Sequence, residues 1–137
     1  MDRAWTGLCL GVFSLLLASY AFFWHSRDWN TASRLMLTYS LVDRGGLSID
    51  GLQDQTGDKA FYRGRYFCDK LPGYPFLAAV PYAVMRALGA RAHPLDGPAL
   101  AHWPSDYGVT LATSGVLTAA TAVVLMGIAR SLGCSAR

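Results

Sequence analysis

Two Asp-Lys pairs, Asp58-Lys59 and Asp69-Lys70, flank the aromatic and basic stretch AFYRGRYFC. A carboxylate can accept a proton or bind a metal, while lysine and arginine can hold a phosphate. Together these residues suit an acidic-lipid or sugar-phosphate substrate. An ordinary solvated loop has a similar composition, since charged residues gather on exposed connections. Gly64, set between Arg63 and Arg65 among aromatics, fits a hairpin over AFYRGRYF, and such a hairpin puts both Asp-Lys pairs at its open end.

The surrounding chain is apolar. Of 137 residues 53% are hydrophobic and 15% charged, and the mean hydropathy is positive, which favours a membrane protein over a soluble globule. The formal charge of +3 is small and the basic residues form no stripe, which argues against nucleic-acid binding. All nine acidic residues are aspartates, and eight lie between the two most apolar segments, so the middle is the aqueous part. Cys9, Cys68 and Cys134 are far apart and predict no disulfide. His25, His93 and His102 are scattered without metal-site spacing.

Residues 5–24 are free of charge and long enough to cross a bilayer, with aromatics at both ends. A cleaved signal peptide is the rival, although the run exceeds the usual apolar length of one. Asn30 or Thr31 can cap a helix over 31–44, stopped by Gly45-Gly46. Ala32, Leu35, Met36, Tyr39 and Val42 share one of its faces, as in a helix lying along a membrane surface or packed on a neighbour. Leu47 to Asp54 reads as a short strand or extended passage. A proline-entered helix near 75–88 is a second surface or re-entrant element, with a third span as its alternative. Gly89 to Asp106 reads as a loop. Residues 109–128 form the second span, whose small side chains suit packing against other helices. The fold class is thus an all-α membrane protein, a single membrane region in which two transmembrane helices flank a long loop, 25–106, bearing amphipathic surface helices.

The order of Asn30 with Ser33-Arg34, Leu41-Val42-Asp43-Arg44-Gly45, Ile49-Asp50, Thr56-Gly57-Asp58-Lys59-Ala60 and Tyr66-Phe67-Cys68-Asp69-Lys70-Leu71-Pro72-Gly73 resembles the N-terminal portion of a GT-C fold glycosyltransferase, in the group of protein mannosyltransferases and lipid A aminoarabinose transferases. The resemblance covers roughly Trp5 to Arg130. It implies transfer of a sugar from a polyprenyl-phosphate donor to a cell-envelope acceptor at a bacterial inner membrane, with the central loop extracytoplasmic.

By that resemblance Asp50, Asp58 and Asp69 are candidates for the acid-base or metal role, with a divalent metal as a candidate cofactor. Arg34, Lys59 and Lys70 are candidates for the phosphate, and Tyr62, Tyr66 and Tyr74 for stacking on sugar. Structural ion pairs and an interfacial aromatic belt would use the same residue types. Many members carry an aspartate where Asn30 stands here, and the fold normally has many more transmembrane helices. By that comparison the chain is expected to be a truncated portion, inactive alone. The competing reading is a non-catalytic two-helix membrane protein that finds assembly partners through 109–128.

Overall fold

The computed structural model describes residues 3–23, 28–90 and 104–133. His25, His93, His102, Cys134 and most of the loop expected from Gly89 onward lie outside the described residues. The described residues divide into two compact units, one formed by the two ends of the chain and the other by 28–90 with 104–110.

The first unit is helical. Helix α1 covers Arg3–Phe22, two residues earlier at each end than the expected 5–24, and contains no buried residue. It is apolar around its whole circumference, with Leu8, Leu10 and Leu15 exposed, as a lipid-facing helix is. The expected span at 109–128 belongs to a longer helical stretch, Pro104–Ser131, which passes through a π turn at Leu111–Gly115. Both α1 and this stretch are long and apolar enough to cross a membrane. Tyr20 packs on Gly115, and the Arg130 guanidinium lies 4.5 Å from the Trp5 ring centroid. The start of α1 therefore meets the end of the final helix, and the two run antiparallel.

The second unit is built around helix α2, Trp29–Arg44. Asp28 caps it in place of the expected Asn30 or Thr31: its extended backbone turns the carboxylate back to accept the Thr31 N–H at 2.6 Å. Instead of burying one stripe, α2 buries Ala32, Ser33 and the continuous run Leu35 to Ser40. It is the core helix of its unit, packed on its neighbours as one of the two readings of its apolar face has it, and not the surface helix of the other. Thr38, outside the apolar face expected from sequence, is fully buried, and its hydroxyl lies within hydrogen-bonding distance of the carbonyls of Arg34 (3.0 Å) and Pro75 (3.4 Å).

After α2 the chain turns. Ser48 forms a single bridge with Phe67, and the Ile49 N–H donates to the Tyr66 carbonyl at 2.9 Å, so of the extended passage expected over Leu47 to Asp54 only the part around Ser48 and Ile49 is extended. A turn at Asp50 to Leu52 and a 3-10 turn at Gln53–Gln55 take the place of the rest of that passage. The hairpin pairs β1, Lys59–Tyr62, with β2, Arg65–Cys68, in antiparallel register. Its loop is Arg63-Gly64, both with positive φ (49° and 80°), the geometry that suits a tight two-residue connection.

Helix α3, Gly73–Ala87, starts two residues before the expected 75–88. It buries Pro75, Ala78 and Tyr82 and exposes Phe76, Leu77, Val80 and Val84 on its other side. The short helix α4, Pro104–Thr110, adds Val109 to a core of Leu35, Met36, Tyr39, Ile49, Leu52 and Tyr82. Its Asp106, expected to end a loop, is buried and accepts from the Tyr39 hydroxyl. The final helix, α5, is Val116–Ser131.

Candidate functional site

Register creates the principal charged cluster. Lys59 pairs with Cys68 across the hairpin, which brings Asp58 beside Asp69 and Lys70 at the open end. The Lys70 ammonium lies 3.1 Å from Asp58 Oδ2 and 3.3 Å from Asp69 Oδ2. These three side chains are about a quarter to a third exposed, 25%, 29% and 34% for Lys70, Asp58 and Asp69, so the cluster is shielded yet reachable. Hydrogen bonding to Asp58, and then to Asp69, raises the Lys70 pKa. Lys70 is thus held as a cation between two carboxylates and is unsuited to acting as a base.

Lys59 faces another set of partners. Its ammonium donates to the Gln53 carbonyl at 2.6 Å, lies 3.7 Å from the exposed Asp54 carboxylate and sits 5.4 Å from the Tyr66 ring centroid. The strand start that supports both pairs is fixed from below. The Thr56 hydroxyl donates to the Trp29 carbonyl at 2.7 Å and accepts the Asp58 N–H at 3.1 Å. Gly57 lies against the Trp29 indole so closely that a Cβ there would stand 2.6 Å from a ring carbon. Thr56 entered the sequence reading only as the first residue of the Thr56–Ala60 stretch, with no role, and Trp29 not at all. A threonine two residues before an aspartate is the signal that could have found the first, because its hydroxyl can bond the local backbone.

The other candidates separate by position. Asp50 accepts the Tyr66 N–H at 2.7 Å, and its own N–H donates to Ser48 Oγ. The Ser48 hydroxyl, then the Tyr66 amide and nearby Arg65 and Arg44, lower its pKa. A carboxylate held this way is a weak base, and its work is to pin the 48–50 passage to β2. Arg34 stands in α2 with its guanidinium 6.0 Å from the Tyr74 ring centroid, and its Nε is buried without a hydrogen-bond partner among the described residues. Tyr62 is at the hairpin turn, mostly exposed, with Arg63 stacked on it at 5.1 Å. Tyr66 packs against Phe61, ring centroids 4.9 Å apart. The structure therefore gathers Asp58, Asp69 and Lys70, with Lys59 and Tyr66 on the same hairpin, and leaves Tyr62 at the opposite, turn end.

A second polar group ties the helices together. The Tyr82 hydroxyl and Arg86 Nε each donate to Asp43, both at 2.7 Å. Asp43 in turn raises the Arg86 pKa through hydrogen bonding and charge. Sequence spacing gives no hint of this pairing, since its members are about forty positions apart. Among the described residues no three potential metal-ligating side chains of His, Cys, Asp or Glu come together. Comparison with protein families, with characterised proteins and with solved structures yields no match.

Proposed function

We propose that this chain forms the loop-bearing front portion of a membrane glycosyltransferase of the bacterial inner membrane, one that uses a polyprenyl-phosphate sugar as donor. The observation that carries this reading is the convergence of Asp58, Asp69 and Lys70 at the open end of the hairpin. Lys70, kept charged, meets the donor phosphate and stabilises it as it leaves. Of the two carboxylates beside it, one takes the proton of the acceptor hydroxyl as the sugar passes to it and the phosphate leaves. The Nε of Arg34, buried and without a hydrogen-bond partner among the described residues, is a further donor.

The exposed apolar side of α3, Phe76, Leu77, Val80 and Val84, suits contact with lipid, where a polyprenyl donor resides. Helices α1 and α5 anchor the chain, with the hairpin unit on the extracytoplasmic side.

Reconstituting the chain in vesicles with a photoreactive polyprenyl phosphate, and with the corresponding polyprenyl alcohol as control, tests the reading. The phosphate probe is expected to label the 56–74 region well above the alcohol, and Lys70→Gln to abolish the difference. Equal labelling by both probes would refute a phosphate site there.

A further inference from the structure

We propose that the groove between α1 and α5 holds one acyl chain of an anionic membrane lipid, with the lipid phosphate against Arg130. The groove has a volume of about 430 Å³, and Trp5, Cys9 and Phe13 form its α1 wall. These residues recur every four positions, so they make one stripe along the helix, about 12 Å long at the α-helical rise. Ala120 and Val124 line the facing wall. Ala120 is small, which leaves a trench between the two backbones instead of a closed seam. The lining is almost entirely apolar, which matches a hydrocarbon chain and offers nothing to a headgroup.

The headgroup has its own place at the mouth. Arg130 stacks on Trp5, a residue of the groove, with the guanidinium 4.5 Å from the ring centroid. Arg3 lies in the same first turn of α1 as Trp5. Among the described residues of this unit the charged side chains are Arg3 and Arg130, and both belong to this end. A cation stacked on an indole still has free N–H donors at its edge, and a lipid phosphate is the anion available where these helices leave the bilayer. Charge complementarity thus selects an anionic lipid over a neutral one, and over a neighbouring helix without acidic residues. The site uses none of the residues assigned to sugar-phosphate binding and stands without that assignment; it requires only that α1 and α5 lie in the membrane.

The test uses the full chain reconstituted into vesicles of phosphatidylcholine with phosphatidylglycerol. A trace of lipid bears a diazirine on its acyl chain, with either a phosphatidylglycerol or a phosphatidylcholine head, and the cross-links are mapped by mass spectrometry. The phosphatidylglycerol probe is expected to label the peptides containing Cys9, Phe13 and Val124 about fivefold more than the phosphatidylcholine probe, the preference expected from one interfacial arginine. Arg130→Gln, a change at an exposed position, should bring that ratio close to one with unchanged helicity. Ala120→Phe should fill the trench and remove groove labelling by both probes. Equal labelling by the two probes, or a preference untouched by Arg130→Gln, would overturn the proposal. Labelling lost as the protein-to-lipid ratio rises would also overturn it, by assigning the groove to a second copy of the chain.

Discussion

Replacing Tyr82 by phenylalanine probes the contact that holds α2 against α3, and so the frame on which the hairpin sits. Tyr82 is fully buried, its ring centroid lies 4.8 Å from that of Tyr39, and its hydroxyl donates to Asp43 at 2.7 Å. The substitution keeps the ring packing and removes one hydrogen bond to an ionised group, worth about 1.5–3 kcal/mol. Asp43 retains Arg86 and stays 16% exposed, so its unpaired oxygen is partly compensated, and the lower end applies, about 1.5 kcal/mol. That corresponds to roughly a tenfold increase in opening of the unit. Hydrogen exchange of the full chain in lipid nanodiscs, read peptide by peptide, measures it. Amides of α2 and α3 should exchange about tenfold faster, while those of α1 and α5, which belong to the other unit, should not change. Unchanged exchange in α2 and α3, or equal acceleration in α1, would refute the reasoning.

Gly57→Ala forces the Trp29 indole to move; because Trp29 is 64% exposed it can swing outward, so the cost should be about 1 kcal/mol, seen as a shift in tryptophan emission and faster exchange at the start of α2. Asp28 and Asp50 both have pKa values below their ordinary ones, Asp28 chiefly through the Thr31 N–H and Asp50 chiefly through Ser48. Their contribution is complete above the ordinary carboxylate pKa, near 4, and is lost as pH falls through the lower folded values. Acid titration by circular dichroism and exchange should therefore show the first turn of α2 and the 48–52 segment loosening below about pH 4, and Asp28→Asn, which still caps, should remove the α2 part. Cys68, half-buried on β2, should react with a membrane-impermeant thiol reagent in intact cells if the hairpin unit is extracytoplasmic, and protection of an otherwise accessible thiol would reverse that orientation.

The hairpin was legible because local chemistry decides it: aromatics on either side of Arg63-Gly64 specify both strands and the turn, and the register follows. The two long apolar helices were legible for the same reason, since composition over twenty residues needs no tertiary information. The burial of α2 was not, because Ser33, Thr38 and Ser40 read as polar while their burial is decided by neighbours far along the chain, α3 among them. Its cap was misassigned by a few residues, since Asp28, Asn30 and Thr31 are all competent caps and the backbone at Asp28 makes the choice. Within the candidate site, residue types pointed equally to Asp50, Asp58 and Asp69. Only the hydrogen bonds separate the first, tied to a backbone amide, from the other two, which share Lys70.

The role proposed for Asp58 and Asp69 is in sugar transfer. It is tested most directly in membranes from cells whose chromosomal copy carries Asp58→Asn, Asp69→Asn or Asp54→Asn, supplied with labelled polyprenyl-phosphate sugars and assayed for glycosyl transfer. Asparagine keeps the size and removes the charge, and loss of a general base or metal ligand should reduce the rate about a hundredfold or more. Asp54, 87% exposed and outside the Lys70 cluster, serves as the control. Transfer is expected to collapse with Asp58→Asn and with Asp69→Asn and to be retained with Asp54→Asn; normal transfer by both cluster variants would contradict the proposed role.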